Sequence, residues 1–447
     1  GRVGTQLRMQ LVVADVDAFS LESHHRAARA TDEGRFAREI VPVPVGPDSP
    51  PMAADEGIRT TGVLQFDVAR TYARPAHWSM ARARAELTAQ GGSEGLKWKV
   101  SGRADADAVF GIDSGFYPDA VRRDQQYQFD LRETYVDFSA GDVDIRLGRQ
   151  HIVWGEMVGL FFADVVSARD LRTFFLPEFE QLRIRQWAAR AEYYFGETHA
   201  ELVWIPVPSY DRIGKPGAEF YPLPQGTRVR GEVKPDNTLA NSNWGVRLSR
   251  MVGGWDLSGF YYRSLDVAQT FYPIGNEFQP RHDRITQVGG TMAKDFGEFV
   301  LKGEAVHTRG RKFNTFDPFT YQDGLVAQST VDYAFGVDIP AFKDGRVNLQ
   351  YFGRRTFDYD PAIGLDRVED GASILLNTKL TRGWEAEMLY VSMLKRTDFM
   401  FRPRVIWSAA KDLRVAFGVD AFGGDTAGVF GRYSGRDRVY TEARWSF

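Results

Sequence analysis

The 447-residue sequence contains no cysteine, which removes disulfide and thiol chemistry. No run reaches the roughly 18 apolar residues of a transmembrane helix. With 26% charged residues and a mean hydropathy of −0.35, a helical membrane protein is excluded. Charge of one sign is also missing. The 56 basic and 59 acidic residues leave a net charge of −3, unlike the basic footprint of a nucleic-acid binder. Histidines are few and scattered: His24, His25, His77, His151, His199, His282 and His307. None has a partner at metal-binding spacing, so no enzyme activity, metal or cofactor is expected. Length alone suggests roughly three soluble domains of about 150 residues, but no shift in composition marks two linkers, and one large unit is favoured. The start, Gly1-Arg2-Val3-Gly4, lacks the apolar core of a signal peptide; in an exported protein it would be a processed or truncated start.

What is present is alternation. In Val439–Phe447, residues Val439, Thr441, Ala443, Trp445 and Phe447 fall on one side, and Tyr440, Glu442, Arg444 and Ser446 on the other. A strand sends alternate side chains to opposite faces, so this is a strand with one oily and one ionic face. The same rhythm begins near Gly62. Ala81, Ala83, Ala85, Leu87 and Ala89 alternate with Arg82, Arg84, Glu86 and Thr88; after a turn at 91–95, Leu96, Trp98, Val100, Gly102 and Ala104 alternate with Lys97, Lys99, Ser101 and Arg103. An Arg or Lys on the lipid face at mid-bilayer costs roughly 2–4 kcal/mol, so the ionic face requires a wet interior. Short turns at 139–142, 196–198, 253–254, 295–297, 343–345, 382–383 and 410–412 alternate with longer stretches at 111–125, 155–182, 207–241, 268–282, 309–324, 356–369 and 423–436. This asymmetry is that of an outer-membrane barrel with short periplasmic turns and long extracellular loops. The predicted fold is all-β: a transmembrane antiparallel up-and-down β-barrel over 57–447 with about 18 strands, or 16. Residues 1–56 differ, with strand-like alternation at Thr5–Val13 and a proline-rich run at 41–51. They read as an N-terminal periplasmic extension or a plug.

Trp98, Trp255, Trp384, Trp407, Trp445 and Phe447 lie near short turns or the chain end with outward parity, as an interfacial aromatic girdle requires. Two parity breaks predict bulges: one near Arg132-Glu133, and one near Gly148 that would turn Arg149 inward. The lumen is assigned Arg82, Arg84, Arg103, Asp105, Asp107, Arg132, Glu133, Asp144, Arg146, Arg149, Arg190, Glu192, Arg402, Arg404, Arg414, Glu442 and Arg444. These charges read as cross-strand ion pairs or as a filter of opposed charges; their balance argues against a strongly anion- or cation-selective pore.

The stretch 155–182 is too apolar for a loop standing in water. Trp154, Leu160, Phe161, Phe162, Val165, Leu171, Phe174, Phe175 and Phe179 mark it as a constriction folded into the barrel, with a short helix over 167–175, or as the lining of a site for an apolar ligand. A contact with a partner or with lipopolysaccharide is a third reading.

The runs Leu131-Arg132-Glu133-Thr134-Tyr135-Val136-Asp137-Phe138 and Leu147-Gly148-Arg149-Gln150-His151-Ile152-Val153-Trp154-Gly155-Glu156, then Asp164-Val165-Val166-Ser167-Ala168-Arg169-Asp170-Leu171 and Ile205-Pro206-Val207-Pro208, are more distinctive. Together they resemble a family of proteobacterial outer-membrane β-barrel proteins grouped as a domain of unknown function. The resemblance runs from about Gly62 to the C-terminus and is closest over 78–222. It implies a location in the bacterial outer membrane among its lipids and lipopolysaccharide, a periplasmic or RND-type transporter partner, and traffic of hydrophobic or amphipathic small molecules or lipids. A general diffusion porin for polar solutes and a scaffold subunit of an envelope complex are the alternatives.

Overall fold

The computed structural model describes residues 57–155, 157, 162–315, 321, 323–342 and 344–447. The predicted extension 1–56, Leu160 and Phe161 lie outside the described residues. The first strands are β1 (Arg59–Thr71), β2 (His77–Ser93), β3 (Leu96–Asp107), β4 (Tyr127–Ala140) and β5 (Val143–Gln150). The loop that follows carries β6 (Ala168–Arg169) and β7 (Arg183–Ile184), which pair with each other in a separate two-stranded sheet. The wall continues with β8 (Gln186–Phe195), β9 (Thr198–Val207), β10 (Asn243–Val252) and β11 (Trp255–Leu265). A loop hairpin of β12 (Thr270–Ile274) and β13 (Glu277–Arg281) precedes β14 (Arg284–Asp295), β15 (Val300–Asn314), β16 (Leu325–Ala341), β17 (Gly345–Phe357) and β18 (Val368–Thr381). The last wall strands are β19 (Trp384–Met393), β20 (Asp398–Ala410), β21 (Leu413–Gly424) and β22 (Arg438–Ser446).

Eighteen of these strands form one antiparallel sheet. It closes where β1 meets β22, from Val63↔Ser446 to Thr71↔Arg438. Gly62 and Phe447 exchange backbone hydrogen bonds of 2.7 and 2.9 Å at that seam. Closure satisfies the backbone groups that an open edge would leave bare in lipid. The predicted count of 18 is the one found.

Alternation sorts the two faces as predicted. On β1, Phe66 and Val68 point outward, 56% and 44% exposed, while Gln65 and Asp67 are buried inside. On β17, Leu349 and Tyr351 face out, and Gln350, Phe352 and Arg354 face in. Near Arg132-Glu133 the β3–β4 register shifts: Val100 pairs with Thr134 but Gly102 with Leu131, so two residues of β4 oppose Ser101. The irregularity at Gly148 is of another kind. The ladders to β4 and β8 pass Arg149 without an inserted residue, so no bulge stands there. Gly148 instead takes φ 131°, where a Cβ would lie 2.3 Å from the Thr134 carbonyl oxygen.

Nine of the ten tryptophans mark the two interfaces. Trp384, Trp407 and Trp445 are 37–48% exposed at the turn end, where Trp384 and Trp407 stack at 5.7 Å and Trp445 packs 5.0 Å from Phe447. Trp98 and Trp255 lie at the same end, half-buried. Trp78, Trp187, Trp204 and Trp244 form a second outward set at the loop end, which parity near short turns did not reveal. Trp154 alone is buried in the lumen. The sequence Gly91-Gly92-Ser93-Glu94-Gly95 has Gly-x-Ser-x-Gly spacing, but it forms the exposed β2–β3 hairpin and not a strand-to-helix elbow.

Candidate functional site

The β5–β8 loop folds into the barrel. Its aromatics explain why: Phe174, Phe175 and Phe179 are 1%, 1% and 0% exposed. Burying one such side chain contributes about 1.5–3 kcal/mol. Phe174, Phe175, Leu171, Leu176 and Met157 pack against the inner faces of β15 to β21, including Phe313, Phe352, Leu375, Leu389, Met400 and Phe422. Trp154, Val165 and Val166 form a second cluster with Val203, Ile205, Phe260 and Tyr262, and Phe162 packs on both clusters. Trp154 fits because residue 245 is glycine; a Cβ there would meet the Trp154 ring at 2.9 Å.

Polar anchors fix the loop at several points of the wall. Glu304 of β15 accepts hydrogen bonds from the backbone N–H groups of Phe162 and Ala163. Arg402 of β20 donates to the carbonyls of Phe175 at 3.3 Å and Leu176 at 2.8 Å, and to Asp420 at 2.8 Å. From the other side, Arg84 donates to Gln181 at 2.6 Å and Arg132 to the Glu180 carbonyl at 3.0 Å. Within the loop, Arg183 and Asp164 pair at 2.8 Å, both fully buried. The predicted helix over 167–175 is absent. Ala168–Arg169 is extended against Arg183–Ile184, a turn with Phe174 at φ 54° follows, and the helical turn comes later, at Phe179–Leu182. The backbone pairs with its own return strand and with the next loop, Leu171 N–H donating to the Arg212 carbonyl at 2.8 Å; helix periodicity cannot register either partner.

That next loop, 208–242, is a strap across the barrel mouth. It leaves β9, the seventh wall strand, and reaches the first strand: Thr71 donates to Glu219 at 3.0 Å. His77 Nε2 lies 2.9 Å from Glu219 Oε2, and the Tyr117 hydroxyl donates to it at 3.1 Å. Phe220 packs with Phe174, Phe422 and Tyr433, and Arg432 donates to the Pro222 carbonyl at 2.9 Å. Burial alone would push the Glu219 carboxyl up. The His77 hydrogen bond and the charges of Arg436 and His77 instead hold it below the usual carboxylate range. Burial and then the Glu219 charge push the Tyr117 phenol well up.

Beneath the strap, between the in-folded loop and the wall of β2 and β3, lies a small open cavity of about 60 Å³. Its lining is divided. Met80, Val109, Phe110, Pro177, Leu182 and Phe220 are apolar; Arg82, Arg84, Arg103, Arg172 and Arg438 face Asp105, Asp107, Asp170 and Glu219. The lumenal charges are laddered: Arg82–Asp67 at 2.7 Å, Arg84–Asp105 at 2.7 Å, Arg103–Asp130 at 2.8 Å and Lys99–Glu133 at 2.5 Å. Arg146–Asp137 at 2.5 Å, Arg190–Glu192 at 2.7 Å and Arg404–Glu387 at 2.8 Å continue the set, with Arg414–Glu385 at 3.3 Å and Arg444–Glu178 at 3.5 Å near the turn end. Asp144 accepts from Ser139 at 2.6 Å near an exposed turn. Asp107 accepts from the backbone N–H groups of Ala81 and Val109, and Glu442 sits opposite Asp67 across the seam. The cavity thus unites Arg82, Arg84, Arg103, Asp105 and Asp107; the aromatics Phe174, Phe175 and Phe179 are not among its lining residues, being spent on packing. Glu219, Tyr117 and Arg438 were missed. Glu219 and Tyr117 lie in loops that carry no parity signal, where the aromatic content of 116–117 and 220–221 was the available hint, whereas Arg438 opens β22 on the inward parity of Tyr440 and Glu442.

The family model described as "Protein of unknown function (DUF1302)" matches residues 76–345. No curated protein matches the chain. Among solved structures, OccAB1 of Acinetobacter baumannii is similar at TM-score 0.55 and 10% identity, over 87% of this chain and 96% of that one. OccAB4 of the same organism gives 0.53 and 10%, over 88% and 98%. OccK8 (OprE) of Pseudomonas aeruginosa gives 0.52 and 9%, over 87% and 97%. The fold is that of the outer-membrane porins, and a closed barrel with this apolar belt has its place in a bacterial outer membrane.

Proposed function

We propose that this chain, which belongs to the DUF1302 family of proteins of unknown function, is an outer-membrane channel for amphipathic small molecules. The observation that carries this reading is the divided lining of the cavity, an apolar side formed by Val109, Phe110, Leu182 and Phe220 beside an ionic side formed by Arg82, Arg84, Arg103 and Asp105. A solute with a hydrocarbon body and a polar head matches both, and few precisely placed polar groups in an apolar pocket are how such sites choose ligands. The crossing loop and the strap speak against a general diffusion pore. The burial of Phe174, Phe175 and Phe179 speaks against a route lined by the loop aromatics for wholly apolar compounds. Partnership with an RND-type transporter is a further part of the proposal, supported by the family resemblance alone; co-purification from cross-linked envelopes tests it.

Purified protein in liposomes and planar bilayers tests the channel. Uptake of an aromatic amphiphile such as phenylacetate or phenylacetamide should exceed that of a sugar of similar mass, and single-channel steps should be small. Large, ohmic, permanently open steps, or uptake that follows size alone, would sink the reading.

A further inference from the structure

Glu219 is held in a nest. Thr71 Oγ1 of β1 donates to Oε1 at 3.0 Å, Tyr117 of the β3–β4 loop donates to Oε2 at 3.1 Å, and Arg436 of the β21–β22 loop stands 3.6 Å from Oε2. His77 completes the set. Its Nδ1 lies 2.7 Å from the Pro75 carbonyl oxygen and its Nε2 2.9 Å from Glu219. The Pro75 carbonyl and the Glu219 carboxylate are both acceptors, a setting that favours the ring with hydrogen on both nitrogens. Three hydrogen-bond partners and the Arg436 charge therefore converge on one carboxylate, which arrives on a strap anchored far around the ring. Charge-assisted donors arranged this way are a carboxylate receptor, here filled by the protein's own side chain.

The cavity below shows the same preference. Arg103 and Arg438 line it, 4% and 5% exposed. Their Nη1 atoms are buried with no hydrogen-bond partner, and each guanidinium nitrogen is a donor only. The cavity lining carries five arginines (Arg82, Arg84, Arg103, Arg172, Arg438) against four carboxylates (Asp105, Asp107, Asp170, Glu219), a net positive charge that suits a solute bearing a carboxylate. Phe110 and Phe220 beside them suit an apolar body on that carboxylate.

We propose that the Thr71–His77–Tyr117–Arg436 nest is a binding site for the carboxylate group of amphipathic solutes, and that Glu219 is a tethered competitor which such solutes displace, freeing the strap. This rests on the channel reading for its purpose, but not for its test. A tethered occupant lowers apparent affinity in proportion to the time it fills the site. Removing it therefore strengthens binding of a free carboxylate.

The test is calorimetric binding of phenylacetate to the full chain in detergent, with phenylacetamide as the neutral control. Heat-dependent gel mobility verifies that each variant is folded. E219A should bind phenylacetate about tenfold or more tightly than wild type, and E219Q should move the same way. Adding H77Q to E219A should abolish the gain, and phenylacetamide should bind neither variant better than wild type. Unchanged phenylacetate affinity in folded E219A, a gain that survives H77Q, or an equal gain for phenylacetamide overturns the inference. Bilayer recordings separate this from the channel reading: tight carboxylate binding by a protein that passes no current keeps the nest and discards the channel.

Discussion

Glu304, on the inner face of β15, accepts a hydrogen bond from the backbone N–H of Ala163 at 3.2 Å. A wall carboxylate thereby fastens the first half of the lumenal loop, while Arg402 fastens the second half through the carbonyls of Phe175 and Leu176. The loop is a brace held at both ends, and each end can be cut separately.

Cutting the first end should loosen the constriction without unfolding the wall. Hydrogen bonds to a charged group contribute about 1.5–3 kcal/mol each, so Glu304→Ala should free 162–164 while the aromatic cluster keeps Phe174 and Phe175 in place. Larger and noisier single-channel currents are expected, with heat-dependent gel mobility preserved. Currents identical to wild type would show that Glu304 does not hold the brace.

Cutting the second end should cost more. Arg402 and Arg438 share Asp420, each at 2.8 Å, and Asp420 is fully buried. Removing one partner of a buried ion pair destabilises by about 3–5 kcal/mol. Arg402→Leu should lower the urea midpoint of unfolding from lipid vesicles well below that of Glu304→Ala.

Gly245 is a space for Trp154. Gly245→Val places atoms where the Trp154 ring and Tyr262 already stand, at 2.9 and 2.6 Å from the first added carbon. Overpacking of this kind costs about 1–3 kcal/mol. Combining it with Trp154→Leu should recover part of the loss, and unfolding midpoints of the single and double variants check this.

The outer belt can be probed by one charge. Phe335 faces lipid from the middle of β16, 46% exposed. Phe335→Arg should cost about 2–4 kcal/mol, whereas an arginine replacing lumenal Gln350 on β17 should cost less if it reaches lumenal water. Similar losses from both would contradict the sorting of the two faces.

Acid should open the strap, and mild acid should not. The Glu219 carboxyl is held below the usual carboxylate range. Its contribution is therefore complete above the unfolded value of about 4.3 and is lost as pH falls through the lower folded value. Of the groups facing it, Thr71 does not titrate, the Tyr117 phenol is pushed further up, and the His77 imidazole, which burial alone would lower, is pushed up by its hydrogen bond to Glu219 and the Glu219 charge, so its contribution is not lost as pH falls. Conductance should stay level from pH 7 to about 5 and rise only below about 4; Glu219→Gln should abolish that step.

Much of this was legible in the sequence for one reason: membrane strands obey a period of two under strong penalty. Arg82 against Ala83 and Gln350 against Tyr351 cannot exchange faces without placing charge or amide in lipid. The β3–β4 irregularity at Arg132-Glu133 was visible because an inserted residue flips that parity. At Gly148 the same inference failed: the glycine passes a positive φ without an added residue, and the ladder keeps Arg149 opposite Trp187 instead of turning it inward. The helix expected over 167–175 failed because those residues pair with Arg183–Ile184 and Arg212, partners set by three-dimensional closure.

The sequence by itself determined the barrel wall, a count of about 18 strands or 16, and the sorting of oil from charge, because local alternation carries that information and lipid enforces it. Only the tertiary structure decided what fills the interior. Phe174 is apolar in either setting, but whether it packs on the far wall or faces a ligand depends on strands hundreds of residues away, such as Phe422. Glu219 is one acid among 59 acidic residues until the barrel closes and brings Thr71, His77, Tyr117 and Arg436 around it. Contacts across a ring are set by the geometry of closure, which no single stretch of chain contains.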